Sequence, residues 1–370
     1  MQETMVVAKG LDGVVVGDTV LSRVDGDKGE LIYCGYDIDE VADCTFEEVC
    51  HLFLYGELPN ADQEASLRAN LQKRYDIPAD IINFICEHAK LDHPMATLRT
   101  AVSMLSTCVK EASLENKAEM ISEALDLIAK TGTIAAAISR VRQGKNPIAP
   151  NVSLGFSKNF IYMCTGSMPE DIVVKTMDTA MVLHMDHSFN ASTFTARVAI
   201  SSLTDMISAV TAAIGSLKGP LHGGANTAVM KMLIEIGSLE NVEPWITKAL
   251  NEKRKIMGFG HRVYRVTDPR AKHLKRMSKE WGERAHEKKW FQMSEAIEKL
   301  MMDRKKISAN VDFYSASTYY MMGIEPDMYT PIFAVARMVG WTAHVMEQLK
   351  DNRIVRPEAH YMGPLGKKRT

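Results

Sequence analysis

From Thr45 onward the chain is an almost unbroken succession of helix-forming stretches, which leaves nearly no room for a large sheet. Thr45 stands before Phe46, Glu47 and Glu48 as a capped start, and Val49, Leu52 and Phe53 fall at i, i+3 and i+4 on one face. Gly56 to Asn60 closes this first helix. The pattern then predicts helices over 61–75, 78–90, 94–111, 116–143, 153–165, 169–185, 191–214, 224–237, 242–254, 270–286, 290–304, 310–322 and 329–350, with Pro, Gly or Asn at most breaks. There is no repeat of fixed period and no low-complexity linker. Only the opening 35 residues read differently. Residues 14–16, 19–24 and 31–33 are short extended pieces, with Asp25-Gly26-Asp27-Lys28-Gly29 as a turn between the last two. The expected fold is mainly α with a small N-terminal β-hairpin.

A chain of 370 residues buries a sizeable core and has room for about two domains. With 46% hydrophobic and 24% charged residues it belongs to the soluble globular class rather than the disordered one. Lys and Arg total 44 against 46 Asp and Glu, so the net charge of −2 gives no reason to expect nucleic acid or an anionic membrane as partner. The six cysteines contain no C-x-x-C pair, and neither a zinc ribbon nor a disulfide framework is expected. The N-terminus lacks a basic segment followed by an apolar core, and no apolar run approaches the ~18 residues of a membrane span. The expected compartment is cytoplasmic.

Two glycine-rich joints interrupt the helices: Lys218-Gly219-Pro220-Leu221-His222-Gly223-Gly224 and Met257-Gly258-Phe259-Gly260-His261. Gly219-Pro220 stops one helix and Gly223-Gly224 lets the backbone turn into the next, which sets His222 near a helix N-terminus. The partial positive charge there disfavours imidazolium, so His222 reads as a neutral donor or as a simple turn histidine. The second joint adds Arg262 and Arg265, and Arg270, Lys272, Lys275 and Arg276 follow closely. Its spacing matches neither a P-loop nor a dinucleotide-binding fingerprint. Residues 220–320 are the candidate second domain.

Asn310-Val311-Asp312-Phe313-Tyr314-Ser315 places one carboxylate among apolar neighbours, which suits a strengthened base or a helix cap. One carboxylate and two histidines are what carbon-acid chemistry requires: a base for the proton and donors for the developing enolate oxygen. Arg337, flanked by Ala336, Met338 and Val339, either snorkels or offers its fork to a carboxylate. His184 and His187 stand at i, i+3, but no third ligand accompanies them and no metal site is expected. His187 and Asn190 read instead as substrate contacts or caps.

In combination and order these segments resemble the citrate synthase family in its bacterial and archaeal branch. The motifs run from Gly35-Tyr36-Asp37-Ile38 and His93-Pro94-Met95 through His187-Ser188-Phe189-Asn190-Ala191-Ser192-Thr193 and Gly219-Pro220-Leu221-His222-Gly223-Gly224-Ala225-Asn226. They continue with Gly258-Phe259-Gly260-His261-Arg262-Val263-Tyr264, Asp268-Pro269-Arg270, Asn310 to Ser315 and Arg356-Pro357, and so cover nearly the whole chain. The resemblance implies a homodimer whose subunits have a large helical domain (1–219 and 321–370) and a small one (220–320) that closes over the substrates. It implies that Asp312 deprotonates the acetyl methyl of acetyl-CoA, that neutral His222 stabilises the enol and that His261 polarises the ketone of oxaloacetate. His187, Asn190, Arg270 and Arg337 become oxaloacetate contacts, and Arg356 reaches across from the partner subunit. Coenzyme A falls to Arg265, Arg262, Gly258, Phe259 and Gly260, with Lys305 and Lys306 as helpers. No permanently bound cofactor or metal is implied, the coenzyme A thioester being a co-substrate. 2-Methylcitrate synthase, which takes propionyl-CoA, resembles this sequence in every residue named; one methylene discriminates by only about 1–3 kcal/mol, so that enzyme or one of dual specificity is the alternative.

Overall fold

A computed structural model describes residues 7–261 and 263–367. Its sheet is built by two turns. Asp25 Oδ1 accepts from the Asp27 and Lys28 N–H groups and bends the chain between β1 (Ser22–Asp25) and β2 (Glu30–Tyr33). Cys34-Gly35, both at positive φ, then turns β2 into β3 (Tyr36–Asp37). The strands pair antiparallel in the order β1-β2-β3, with Ser22 opposite Tyr33 and Tyr33 opposite Tyr36. The hairpin expectation therefore holds and gains a third strand. Residues 14–16 remain unpaired, and Val15 is 87% exposed.

Helices make up most of the rest. Helices α1 (Ile38–Val41), α2 (Phe46–Tyr55), α3 (Ala61–Gln72), α4 (Ala79–His88), α5 (Pro94–Met104) and α6 (Lys117–Arg142) are followed by α7 (Phe156–Thr165), α8 (Asp171–His184), α9 (Ala191–Ile200) and α10 (Met206–Leu217). Next come α11 (Ala225–Ile236), α12 (Val242–Asn251), α13 (Ala271–Arg284), α14 (Lys289–Lys305), α15 (Val311–Met321) and α16 (Tyr329–Lys350). The Thr45–Glu48 capping box is present on α2, and Gly56 ends that helix at φ +93°. The single helix expected over 191–214 is two, because Asp205 accepts from the Ser208 N–H and starts α10 afresh after Leu203 turns left-handed. The apolar run on both sides hides that break.

α16 is apolar on almost every face, and residues 329–346 are buried without interruption. It forms the axis of the core, packed by α2, α6, α8, α9 and α10. Helices α11 to α15 pack chiefly on one another, α15 against α11 and α13, and α12 against α14. Lys272 and His273 to Asp39, Trp281 to Thr176 and Arg284 to Glu170 join this second group to the first.

Candidate active site

The second glycine joint is bound to the start of α15 by backbone hydrogen bonds. Phe259 pairs with Ala309, the Asn310 N–H donates to Gly258 O at 3.0 Å, and Asn310 Nδ2 donates to Gly260 O at 3.0 Å. Gly258 is required here: at φ +81°, a Cβ would stand 2.7 Å from both Phe313 and Val229. The contact sets His261 next to the helix that carries Asp312.

Asn310, not Asp312, caps α15, its Oδ1 accepting from the Asp312 N–H at 3.1 Å. The capping alternative for Asp312 is thereby removed. Its residue is half-buried, but its Oδ1 is shut off from solvent with no hydrogen-bond partner. Burial pushes its pKa up to about 7, opposed by Arg270 and Arg337 and assisted by Asp268. A carboxylate so placed is a stronger base than one in water.

Both histidines at the joints are neutral for a reason different from the one the sequence offers. Burial comes first and lowers each pKa to about 4, with Arg337 adding to the effect at His222 and Arg270 at His261. His222 lies two residues before Gly224, which precedes α11, so its ring is not on the helix end itself. The Ser192 N–H donates to His222 Nε2 at 3.3 Å, with Ser192 Oγ 2.8 Å from the same nitrogen. The ring proton therefore sits on Nδ1. His261 is set the opposite way: Nδ1 accepts from the Val263 and Tyr264 N–H groups at 3.0 and 3.2 Å, leaving the proton on Nε2. Each ring keeps one N–H to offer.

His187 stands with its ring 5.1 Å from that of His261, and its Nε2 lies 3.2 Å from the Tyr264 hydroxyl. Asn190 caps α9, Oδ1 accepting from the N–H groups of Ser192 and Thr193. Arg270 is buried and gripped bidentately by Asp268, at 3.0 and 2.8 Å, while Asp268 Oδ2 also accepts from the Val311 N–H at the start of α15. Arg337 is 1% exposed, which excludes snorkelling. Its Nε donates to His184 O at 2.7 Å, its guanidinium lies over Phe333, and its Nη1 is buried without a partner. Burial brings its pKa down to about 10, so it stays cationic at neutral pH. A buried guanidinium nitrogen with an unused N–H suits an anionic group.

His187, His222, His261, Asp312, Arg270 and Arg337 thus converge: Arg270 bears on His187, His261 and Asp312, and Arg337 on His187, His222 and Asp312. Gly258, Phe259 and Gly260 form the adjoining loop. Arg265 is exposed beside it and pairs with Asp27 at 3.0 Å. Lys305 and Lys306 end α14 at the surface, and Arg262 lies outside the described residues. Arg356 is exposed in the C-terminal segment and does not join the cluster within one chain. His184 Nδ1 donates to Ala180 O at 2.7 Å, and no three His, Cys, Asp or Glu side chains converge as a metal cage among the described residues. The sequence reading overlooked Ser192, Tyr264 and Asp268, although all three lie inside motifs it quoted.

The family model described as citrate synthase, C-terminal domain, matches residues 10–358. Citrate synthase 2 of Bacillus subtilis is 48% identical over 97% of this chain and 97% of its own. A 2-methylcitrate synthase of Mycobacterium tuberculosis is 41% identical over 96% of this chain and 91% of its own. Among solved structures, the ternary complex of carboxymethyl coenzyme A and oxaloacetate with the citrate synthase of Thermoplasma acidophilum superposes with a TM-score of 0.93 at 32% identity, covering 99% of each chain.

Proposed function

The chain belongs to the citrate synthase family, enzymes that condense acetyl-CoA with oxaloacetate, and from that premise we propose that Asp312, His222 and His261 perform the chemistry here. The ionised Asp312 carboxylate removes a proton from the acetyl methyl. The His222 Nδ1–H donates to the thioester oxygen as the enol forms, with Ser192 fixing the tautomer. The enol carbon attacks the ketone carbon of oxaloacetate while the His261 Nε2–H stabilises the oxygen that gains charge. Water then hydrolyses the citryl-CoA thioester to citrate and coenzyme A. Arg270, Arg337, His187 and Asn190 hold oxaloacetate, the two guanidiniums matching its two carboxylates.

The observation that carries this reading is the unpartnered Asp312 Oδ1, which shares Arg337 with His222 and Arg270 with His261, two neutral histidines that each retain a free N–H. Arg262, Arg265, Lys305, Lys306 and the Gly258–Phe259–Gly260 loop are the coenzyme A contacts, and no permanent cofactor is needed. Residues 220–320 act as the smaller, closing domain, a division supported by the mutual packing of α11 to α15. The protein works as a cytoplasmic homodimer in which Arg356 completes the partner's site. None of the described helices is long and apolar enough to cross a membrane. A second reading, 2-methylcitrate synthesis from propionyl-CoA, is favoured by the Mycobacterium relative.

Release of free thiol with oxaloacetate, measured as kcat/KM for acetyl-CoA and propionyl-CoA with Asp312→Asn as control, tests both readings. Preference for acetyl-CoA is expected. Preference for propionyl-CoA moves the chain to the second reading, and a fully active Asp312→Asn enzyme overturns the mechanism.

A further inference from the structure

Behind the oxaloacetate groups lies a charged cluster that the mechanism does not use. His344 is fully buried on α16, with its Nε2 3.2 Å from Asp186 Oδ2 and its Nδ1 3.6 Å from Glu347 Oε2. Arg197 closes the far side, Nη1 lying 2.7 Å from Glu347 Oε2 and 3.2 Å from His344 Nδ1. Phe189 covers the ring at 5.7 Å. Asp186 precedes His187, and the same Oδ2 accepts from the Ser188 N–H at 2.9 Å and from the Ser22 hydroxyl. Ser188 stands at φ +50°, a conformation that a non-glycine residue holds only when its surroundings enforce it.

The rest of the α16 face has the same task. Arg337, Gly340, Trp341 and His344 recur at i, i+3, i+4 and i+7. Arg337 holds His184 O, Trp341 Nε1 donates to Ser192 Oγ at 3.1 Å, and His344 holds Asp186. At Gly340 a Cβ would stand 2.4 Å from Met185 O, so the turn lies directly on the helix backbone.

We propose that His344, bridging Asp186 and Glu347, is a positioning residue for oxaloacetate: it fixes the 186–190 turn so that His187 and Asn190 face the substrate in register with Arg337. The local electrostatics agree. Burial and the Arg197 charge lower the ring's pKa, but Asp186 and Glu347 outweigh them and raise it, while Glu347 falls to about 2. A neutral apolar side chain would leave the buried Asp186 charge only the Ser22 hydroxyl and the Ser188 N–H as partners, and the Ser188 turn would relax away from its strained geometry.

The proposal rests on His187 as an oxaloacetate ligand, so His187→Gln is the control and must raise the oxaloacetate KM. If it does not, the site assignment fails first. With that control passed, His344→Leu is expected to raise the oxaloacetate KM at least tenfold while the acetyl-CoA KM stays within about threefold. His344→Gln, which retains a donor toward Asp186, should recover most of that loss. A destabilising role alone would lower the active fraction, and hence kcat, without touching KM. Glu347→Gln serves if His344→Leu does not fold, with a severalfold rise expected in the same constant. An unchanged oxaloacetate KM in the folded variant overturns the proposal, as does an equal rise in both KM values.

Discussion

At the scale of single residues, Asp312 gains basicity from the same burial that makes its charge unfavourable. Because the proposed proton abstraction needs it ionised, kcat/KM for acetyl-CoA should rise with pH through about 7 and then level off. His222 and His261, with pKa values near 4, should add no inflection above pH 5 in a pH–rate profile. Asp312→Asn should lower kcat by about 10²–10⁴-fold. The same substitution should stabilise the fold, and the sign follows from linkage. The folded pKa lies above the ordinary 3.8, so the destabilisation is absent below that pH, grows as pH rises and is complete above about 7. Thermal melts of the two proteins should therefore agree at low pH and diverge at pH 8, with the Asn variant melting a few degrees higher. Much of this was legible in the sequence, since Asp312 and both histidines announce themselves by neighbours within a few positions. The Tyr264–His187 and His344–Asp186 contacts were not, because they join residues 77 and 158 positions apart and no local pattern encodes such a pair.

Among the elements, the helical period and the breakers located nearly every helix, as the Thr45 capping box and the Gly56 terminus illustrate. What the period could not reveal is which face of a buried helix does the positioning. α16 is buried on almost every face, so its three polar anchors carry no amphipathic signature and emerge only from packing. Gly340→Ala tests that face directly. The methyl would meet Met185 O and Asp186 Oδ1, and a loss of about 1–3 kcal/mol is expected from the urea midpoint, with a weakened oxaloacetate KM in what remains folded. The split of the expected 191–214 helix teaches a complementary lesson. The apolar residues on either side of Ser201 to Asp205 suggest one helix until the Asp205 hydrogen bond to Ser208 is seen.

For the whole molecule, the exposed Arg356 and its proposed place in the partner's site lead to a test of shared sites. Asp312→Asn and Arg356→Ala homodimers should each be nearly inactive. Mixed subunits should regain activity, because one of the two sites in each heterodimer then has both residues intact, and about a quarter of the wild-type rate is expected from random pairing. No recovery would confine Arg356 to its own subunit. The burial of α16 has one more consequence. A binding site fastened to the most enclosed helix of a protein cannot loosen ahead of it, so heat inactivation in the presence of oxaloacetate and loss of the helical circular dichroism signal should fall on one curve. Such an enzyme fails all at once, with no softened, half-active interval between working and unfolded.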